Sequence, residues 1–378
     1  MNPTFLPDVT IQPGGLKLLG KKILQLGMKK PLIVSDQGLT RLGLTQRVRD
    51  VLAPGFGDPP VFDHCPENPA EDAVAAGAEM FMKSGCDGVA ALGGGSPMDV
   101  AKGIRIVAAH GGGILDYDVN KVGVKKIGRG LPPMIALPTT AGSGSEATLG
   151  AVILDSRSHI KTLIFSPFLG AAAAILDPEL TLSLPPALTA ATGMDALIHA
   201  LEAYTAKGGN VVVRGLCRDS LQLIGRGLKK AVRDGGDVEA RQDMMTAAFL
   251  SGLAFANVGL GAVHAAAHQL GGRAGIAHGL SNSLMLPAVM KFNGPAAEAD
   301  YVEICRWLGL PAASAGEASA ALKAYAQDLG LPTRLRDLGV TADLFEQMAE
   351  DAVKDPALRS NPRPATKDDF IAFYRESY

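Results

Sequence analysis

Residues 88–102 read Gly-Val-Ala-Ala-Leu-Gly-Gly-Gly-Ser-Pro-Met-Asp-Val-Ala-Lys. The apolar run at 88–92 leads directly into three glycines, and an amphipathic pattern with Ile104 and Val107 on its apolar side follows. This order predicts a buried strand, a tight glycine turn and a helix. We expect Ser96 to cap that helix and Pro97 to take its first position.

A glycine turn at the start of a helix is suited to binding a phosphate group. Residues Gly94 and Gly95 let the backbone approach a ligand closely, and the free amides and dipole of the helix start attract an anion. The third glycine of the G-x-G-x-x-G fingerprint is missing. A plain turn with an ordinary cap is therefore an equally good interpretation of this stretch alone.

Short apolar runs and amphipathic helical patterns alternate on both sides of this turn. Leu16, Leu19, Ile23 and Leu26 form one helical stripe. Further strands are predicted at residues 32–35, 61–62, 134–137, 151–154 and 172–176. The alternation is typical of a sheet wound with helices, in which ligands bind at the carboxyl edge of the strands.

Polar residues follow two of the predicted strands. Asp36 comes directly after the strand at 32–35, where a carboxylate can accept hydrogen bonds from a ribose and repel a 2′-phosphate, which favours NAD over NADP. Capping of a helix is the alternative role for Asp36. After the strand at 134–137, residues 138–146 are rich in glycine and small hydroxyl side chains, which favours contact with a ligand.

The pattern changes near residue 180, where β-branched runs nearly vanish. Helical periods predict helices at 194–206, 211–232, 238–256, 261–270 and 278–291, with further segments after Tyr301. The Pro185-Pro186 pair marks the change. We expect two domains, an α/β domain at residues 1–180 and an all-helical domain at residues 181–378.

Five residues of the second half are candidates for binding a metal ion. Asp195 and His199 lie four residues apart, so both side chains leave the same face of an otherwise apolar helix. His264, His268 and His278 follow on predicted helices or at their ends. A carboxylate and imidazoles suit Fe²⁺ or Zn²⁺. Hydrogen-bonded core histidines are the alternative, and spacing alone does not say which of the five residues bind.

Composition limits the possible partners. Of the 378 residues, 47% are hydrophobic and 20% charged, and the formal net charge is −2. The chain lacks the basic excess that a nucleic-acid-binding protein uses to displace counterions from phosphates. The cysteines Cys65, Cys86, Cys217 and Cys305 lie far apart, with no CxxC pair. With no signal sequence or membrane span apparent, we expect a cytoplasmic protein that binds neither nucleic acid nor a membrane.

Taken together, these stretches resemble the iron-containing, or group III, alcohol dehydrogenase family, in particular its lactaldehyde reductase and propanediol dehydrogenase branch. The resemblance covers nearly the whole chain. In chain order the matching stretches are Val34-Ser35-Asp36, Glu67-Asn68-Pro69, GGGSPMDVAKGI from Gly93, PTTAGSGSEAT from Pro138, Lys161, GMDALIHALEAY from Gly193, NVGLGAVHAAAHQLGG from Asn257 and GIAHGLSNSLMLP from Gly275.

The resemblance implies an α/β dinucleotide-binding domain followed by an all-α metal-binding domain, the architecture shared with dehydroquinate synthase. By matching position it implies that Asp195, His199, His264 and His278 bind the metal and that His268 stands near the nicotinamide without being a ligand. The implied contacts to NAD(H) are Asp36, Asn68, Gly94, Gly95, Ser96, Thr139, Thr140, Ser143, Val152 and Lys161. Gly150 and Phe255 are expected in the substrate pocket, and Ala357 stands where many relatives have a cysteine.

We therefore expect an enzyme that interconverts a small primary or secondary alcohol and its aldehyde or ketone. NAD(H) would exchange a hydride with the substrate, one divalent metal ion, Fe²⁺ before Zn²⁺, would act as a Lewis acid, and His268 would relay the alcohol proton. The family also implies a homodimer or a larger homo-oligomer. Two alternatives are a metal- and NAD-dependent lyase of the dehydroquinate synthase type and a non-catalytic NAD-binding protein.

Overall fold

The computed structural model describes residues 7–122, 126–158 and 160–378. Within these ranges the chain divides into two compact units. The α/β unit runs up to Thr140 and continues from Gly144 to Ser183, and the helical unit comprises Ala141–Ser143 and Leu184–Tyr378. The short excursion at 141–143 is the one place before residue 184 where described residues belong to the helical unit.

The α/β unit is built on a parallel sheet. Its described strands are β1 (Asp8–Ile11), β2 (Pro31–Val34), β3 (Val61–Phe62), β4 (Gly88–Gly93), β5 (Met134–Pro138) and β8 (Ala173–Leu176), and they lie in the order β1-β8-β5-β4-β2-β3. The strands β6 (Gly150–Asp155) and β7 (Ile160–Phe165) pair antiparallel as a separate ribbon. Strands β2, β4, β5 and β8 are completely buried, as expected for a parallel sheet covered by helices on both faces.

The strand order creates a switch point beside β2. From β2 the chain first moves to β3 on one side, and it then returns to β4 on the other side and continues to β5. In open α/β sheets, ligands bind outside the carboxyl ends of the strands at such a point. The residues that follow β2, β4 and β5 therefore lie at one edge of the sheet.

Helices cover this sheet. The described helices of the α/β unit are α1 (Leu19–Gln25), α2 (Gln37–Arg41), α3 (Leu44–Phe56), α4 (Glu71–Lys83), α5 (Gly95–His110) and α6 (Val119–Val122). The predicted stripe beside α1 is confirmed, because Leu16, Leu19 and Ile23 are buried in one core with Ile33 and Ile135, and Leu26 packs against that core. The apolar periodicity of the sequence thus identified the face that packs on the sheet.

The sequence missed two strands and misplaced one helix cap. Strand β1 is a short edge strand whose residues are only partly buried, and β7 pairs only with β6, so neither carries the apolar signal of a core strand. Our expectations for Ser96 as the cap and for Pro97 as the first residue of the helix were wrong. Gly94, in an extended conformation, is the N-cap of α5, and Ser96 and Pro97 lie within the first turn. Because Gly94 has no side chain, the N-cap residue cannot accept a hydrogen bond from the first amides of this helix.

From residue 184 onward all described residues are helical or irregular, which confirms the predicted all-helical region. The helices are α7 (Pro186–Thr205), α8 (Val211–Arg233), α9 (Val238–Val258), α10 (Ala262–Ala274), α11 (His278–Leu308), α12 (Ala315–Asp328), α13 (Phe345–Ala352) and α14 (Lys367–Glu376). Helix α7 begins earlier than predicted because Pro186 takes its first position and Pro185 its N-cap. Helix α11 continues past two prolines, with non-helical backbone at Ala297.

No single helix of the described chain is long and apolar enough to cross a membrane. Helices α9 and α10 satisfy that test only as a pair, by length and composition, and their axes are bent by 105°.

A buried lysine fixes the loop that follows β5. Lys102 of α5 is fully buried, and its Nζ atom lies 2.7–3.0 Å from the carbonyl oxygens of Ser145 and Gly150 and the hydroxyls of Ser145 and Thr148. Asp99, one turn earlier, accepts hydrogen bonds from the Ser145 hydroxyl and the Val152 amide. Burial lowers the pKa of Lys102 to about 8, and the charge of Asp99 partly opposes this effect. The loop from Ser145 to Val152 is therefore tied to α5 by buried polar groups.

We predict that Lys102→Met destabilises the protein by about 3–5 kcal/mol, because it leaves buried carbonyl and carboxylate oxygens without their cation. Urea unfolding measures the change. Lys121→Met is the matched control, since Lys121 also has an aspartate three residues earlier, 3.7 Å away, but its side chain is 61% exposed. The control should change stability by no more than about 0.5 kcal/mol. Equal effects of the two variants would contradict the role given to Lys102.

Candidate metal centre

Four residues from three helices bring their polar atoms together in the helical unit. Asp195 and His199 lie on successive turns of α7, His264 is in the first turn of α10, and His278 is the first residue of α11. Asp195, His199 and His264 are buried, and His278 is partly exposed. The α7 pair faces the other two because i and i+4 positions share one side of a helix.

The donor set and its spacing fit one divalent metal ion. One donor atom from each of the four residues lies within 4.8 Å of the others. The Nε2 atoms of His199, His264 and His278 lie 3.8, 3.8 and 3.5 Å from Oδ1 of Asp195. Donor atoms bound to one ion at about 2.0–2.2 Å are separated by roughly 3–4.4 Å. One carboxylate and three neutral imidazoles suit Fe²⁺ or Zn²⁺.

A glycine allows α7 and α11 to approach each other at this site. A Cβ atom at Gly279, the residue after His278, would lie 2.3 Å from the carbonyl oxygen of Ala191 and 3.3 Å from Cβ of Asp195. Any larger residue would push the two helices apart, since the obstruction is backbone. The distance between His278 and Asp195 therefore depends on Gly279.

A buried carboxylate orients His264. Nδ1 of His264 lies 2.6 Å from Oε2 of Glu202, and the same carboxylate accepts hydrogen bonds from the amides of Gly261 and Val263 at 2.8 and 2.7 Å. Burial raises the pKa of Glu202 to about 7, and the bonds from these amides oppose the shift. Burial also lowers the pKa of His264, which favours the neutral ring that a metal requires. Glu202 thereby turns Nε2 of His264 toward Asp195.

Backbone and ring contacts orient His199. Its Nδ1 atom lies 3.3 Å from the carbonyl oxygen of Gly142, so the Nδ1–H tautomer leaves Nε2 available as a ligand. The excursion at 141–143 supplies that carbonyl. Phe255 of α9 stacks on the His199 ring, with the ring centroids 4.5 Å apart. Phe255, predicted in the substrate pocket, therefore lies directly beside one of the four residues.

Asn282 lies among the same polar atoms. Its Nδ2 atom donates to Oδ1 of Asp195 at 2.7 Å and lies 3.1 and 3.2 Å from Nε2 of His264 and His278. The amide is completely buried, and its Oδ1 atom has no hydrogen-bond partner among the described residues. An unpartnered amide oxygen, on a buried side chain whose nitrogen contacts three candidate donor atoms, is a further feature that fits a cation in this site.

His268 lies beside this cluster and has a partner of its own. Its ring stacks on that of His278 with a centroid distance of 5.5 Å and an interplanar angle of 16°. Its Nδ1 atom lies 2.8 Å from Oδ2 of Asp355. His268 is not one of the four residues whose donor atoms come together. The structure thus separates the two histidines of α10 by their carboxylate partners, Glu202 and Asp355, a distinction that their spacing could not make.

The residues predicted to contact NAD(H) lie mostly at the switch point of the sheet. Asp36, Gly94, Gly95 and Thr139 directly follow β2, β4 or β5, and Thr140 packs its side chain over Gly94, where a Cβ atom would be 3.1 Å from its hydroxyl. One oxygen of Asp36 accepts from the Leu39 amide at 2.9 Å, so Asp36 does cap α2.

The other predicted contacts are more widely placed. Asn68 has a left-handed backbone with φ of 51°, in the loop after β3. Val152 and Gly150 are in β6, Lys161 is in β7, and Ser143 belongs to the excursion that clusters with the helical unit.

Sequence patterns did not identify Glu202, Asn282 or Asp355. Glu202 lies seven residues after Asp195 and Asn282 four after His278, so both occupy the helix faces that carry proposed metal ligands. That spacing is the signal that could have found them. Asp355 pairs with His268 across 87 residues, and no local pattern predicts that contact.

Comparison with known proteins places the chain in a family. Residues 7–178 match the family model described as iron-containing alcohol dehydrogenase, and residues 189–378 match the C-terminal model of the same family. The NAD-dependent methanol dehydrogenase of Bacillus methanolicus is 39% identical, with 100% of each chain covered. The 1,3-propanediol dehydrogenase of Klebsiella pneumoniae is 38% identical over 99% of this chain and 98% of its own. A crystal structure of a 1,3-propanediol oxidoreductase matches with a TM-score of 0.95 at 37% identity, covering all of both chains.

The chain therefore belongs to the iron-containing alcohol dehydrogenase family. The predicted family, its propanediol dehydrogenase-like branch and the architecture of an α/β domain followed by a helical one are confirmed. The chain is an oxidoreductase that interconverts alcohols with their aldehydes or ketones, and the family works with NAD(H) and a divalent metal ion. The lyase alternative is not favoured.

We predict that Glu202→Gln weakens binding of the divalent ion by about 10- to 100-fold. Glutamine would turn an NH₂ group toward one of the N–H donors that Glu202 now accepts, so the His264 ring would lose its orientation. Competition with a chelating dye at fixed pH measures the dissociation constant. Glu303→Gln, which alters a half-exposed carboxylate bonded to Tyr204, is the control and should leave it unchanged. Identical affinities for wild type and Glu202→Gln would contradict the assignment.

Proposed function

We propose that this protein is an NAD(H)-dependent dehydrogenase of short alcohols whose single divalent ion is held by Asp195, His199, His264 and His278. The observation that carries the proposal is the convergence of these four donors beside Phe255 and His268. Fe²⁺ is the first candidate for the ion and Zn²⁺ the second. When bound, the ion supplies a Lewis acid for the alcohol or carbonyl oxygen, and NAD(H) supplies the hydride acceptor or donor.

The residues around the ion hold the substrate and move its proton. Phe255 offers an apolar surface next to His199, which suits a short carbon chain, and Gly150 is the second residue that we assign to the substrate pocket. His268 receives the hydroxyl proton when an alcohol is oxidised and returns it when a carbonyl is reduced, since a ring nitrogen can both accept and donate a proton. Because its Nδ1 atom is engaged by Asp355, Nε2 is the atom that exchanges this proton.

We assign the cofactor to the switch point of the sheet. The first turn of α5, at Gly94, Gly95 and Ser96, would hold the pyrophosphate, because Gly94 provides no side-chain cap to its amides and the two glycines carry no side chain of their own. The second oxygen of Asp36 would accept from the ribose, the first being used to cap α2. The remaining contacts proposed from the family motif are Asn68, Thr139, Thr140, Ser143, Val152 and Lys161.

Residues 1–180 would thus form the NAD-binding domain and residues 181–378 the metal- and substrate-binding domain. The division between structural units at 183/184 and the two family models support this boundary. We further propose a cytoplasmic homo-oligomer, a dimer or larger. All four cysteines lie in described ranges and are unpaired, as expected in a reducing compartment. The 1,3-propanediol and methanol dehydrogenases among the relatives make short primary alcohols and diols the first substrates to test.

Removal and return of the metal tests the proposed function. Purified protein should carry about one divalent ion per chain, lose alcohol oxidation with NAD⁺ when the ion is chelated, and recover it with Fe²⁺ or Zn²⁺ under anaerobic conditions. Elemental analysis gives the stoichiometry, and formation of NADH from methanol, 1-propanol and 1,3-propanediol gives the activity. Demetallated protein that oxidised these alcohols at the original rate would disprove the proposal.

Asp36→Ser tests the cofactor assignment. Serine still caps α2, but the variant loses the charge that repels a 2′-phosphate. We expect kcat/KM with NADP⁺, relative to NAD⁺, to rise at least about tenfold, or 1.4 kcal/mol. Asp58→Ser removes a more exposed acid of the same unit and should leave the ratio unchanged. An unchanged ratio in Asp36→Ser would mean that Asp36 serves only as a cap.

A further inference from the structure

We propose that Asp355 is a positioning residue for His268. Its carboxylate holds the ring as the Nδ1–H tautomer, turned so that Nε2 faces the reacting oxygen. The inference rests on the proposed function, because it concerns the residue to which we assign the alcohol proton. The inference also gives the segment around the 3-10 turn Pro356–Ser360 a role in orienting His268. This segment contains Ala357, which stands where the family resemblance implies a cysteine in many relatives.

Both oxygens of Asp355 are engaged. Oδ2 accepts from Nδ1 of His268 at 2.8 Å, and Oδ1 accepts from the Ala357 amide at 2.9 Å, capping the 3-10 turn Pro356–Ser360. Burial alone would raise the pKa of Asp355, but attraction to His268 and the hydrogen bonds from His268 and Ala357 outweigh it and lower the pKa. Asp355 therefore stays an acceptor-only carboxylate, and Nδ1 of His268 must carry the hydrogen between them.

The segment that carries Asp355 is fixed to the helix that carries His268. Asn361, at the end of the 3-10 turn, is 1% exposed, and its Oδ1 atom accepts from the Ala262 amide, the first of α10, at 3.0 Å. Its Nδ2 atom donates to Oδ1 of Asn293 and to the carbonyl oxygen of Arg363. Asn361 thus anchors the segment at the start of α10, and Asp355 meets His268 six residues further along the same helix. Such a two-point attachment restricts the rotation of the imidazole ring.

The stacking partner of His268 defines the other side of the ring. The His278 ring lies almost parallel to it, at a centroid distance of 5.5 Å. Because Nδ1 is bonded to Asp355 and one face of the ring lies against His278, both the side-chain rotamer of His268 and the plane of its ring are fixed. Nε2 is its remaining polar atom. This arrangement corresponds to the role of an acid that orients a general base, which is recognised by geometry and not by sequence position.

The proposed step balances without further reagents. As the alcohol is oxidised, its O–H bond would break and an N–H bond would form at Nε2 of His268, and bound NAD⁺ would supply the acceptor for the hydride of the carbinol carbon. The resulting imidazolium keeps its Nδ1–H bond to Asp355, and Asp355 remains a carboxylate. The proton passes later from Nε2 to solvent. Reduction follows the same path in reverse.

The test is a double-mutant cycle of Asp355→Asn and His268→Ala, in protein with verified metal content. Asparagine keeps the cap at Ala357, because Asn and Asp are equally good N-caps. With its oxygen accepting from the Ala357 amide, the asparagine presents its NH₂ group to Nδ1 of His268. Nδ1 must then act as an acceptor, so the ring hydrogen moves to Nε2. We expect Asp355→Asn to lower kcat by roughly 10- to 1,000-fold with unchanged metal stoichiometry. In the His268→Ala background the same change should alter kcat by less than about a factor of two, because the ring through which Asp355 acts is gone.

Asp351→Asn is the matched control. Asp351 also binds α10 through a carboxylate, accepting from Nε of Arg273 at 2.9 Å, but it has no contact with His268 among the described residues. The Asp351→Asn variant should leave kcat unchanged. ¹⁵N NMR of the His268 ring, identified by its loss in His268→Ala, supplies a readout that needs no turnover. Wild type should show the Nδ1–H tautomer and Asp355→Asn the Nε2–H tautomer.

Two kinetic results would overturn the inference. One is an equal loss of kcat from Asp355→Asn in both backgrounds, which would mark a structural role, and the other is no loss in the wild-type background. An Nε2–H tautomer in wild type would overturn it too. Failure of the proposed function is recognised separately, because wild-type protein loaded with metal would then not oxidise alcohols at all.

Discussion

Burial of a carboxylate and two imidazoles on apolar helices, next to a third and partly exposed imidazole, is the constraint on which the rest of the helical unit depends. Polar groups removed from water at Asp195, His199 and His264 are costly unless hydrogen bonds or a bound cation compensate for the lost hydration. A divalent ion bound here would compensate this cost, and the surrounding residues fit such a site. Gly279 lets two helices approach, Glu202 and the Gly142 carbonyl fix the ring tautomers, and Asn282 adds an amide to the same group of atoms. The site is thus specified by close backbone approach and by hydrogen bonds to the ligands, not by the four side chains alone.

In the α/β unit the important buried charge is that of Lys102. Helix α5 presents uncapped amides after Gly94, which suits an anion, while two turns later Lys102 ties the loop after β5 to the same helix. Within the one motif GGGSPMDVAKGI, the glycine turn therefore lies at the carboxyl edge of the sheet, and the lysine that follows stabilises the loop after β5. We propose that the motif combines a phosphate-binding turn with the buried lysine that supports it.

The sequence predicted much of this arrangement, and the failures have physical reasons. Strands β2 to β5 and the all-helical second half follow from apolar periodicity, which is a local property. Strand β1 is an edge strand and β7 is half of a ribbon, so both lack a fully buried run. Ser96 was a sound candidate for a cap, but the extended backbone at Gly94 starts the helix two residues earlier. Glu202 contacts His264 and Asp355 contacts His268 across 62 and 87 residues of sequence. Residue spacing cannot reveal such tertiary contacts.

Anomalous diffraction at the absorption edge of the bound metal tests whether Asp195, His199, His264 and His278 hold the ion. Crystals of protein loaded with Fe²⁺ or Zn²⁺ should give one strong peak in the helical unit. We predict that this peak lies about 2.0–2.2 Å from a carboxylate oxygen of Asp195 and from Nε2 of His199, His264 and His278, with His268 outside that distance. A peak at another place, or one bound by His268 in place of any of these four residues, would contradict the account.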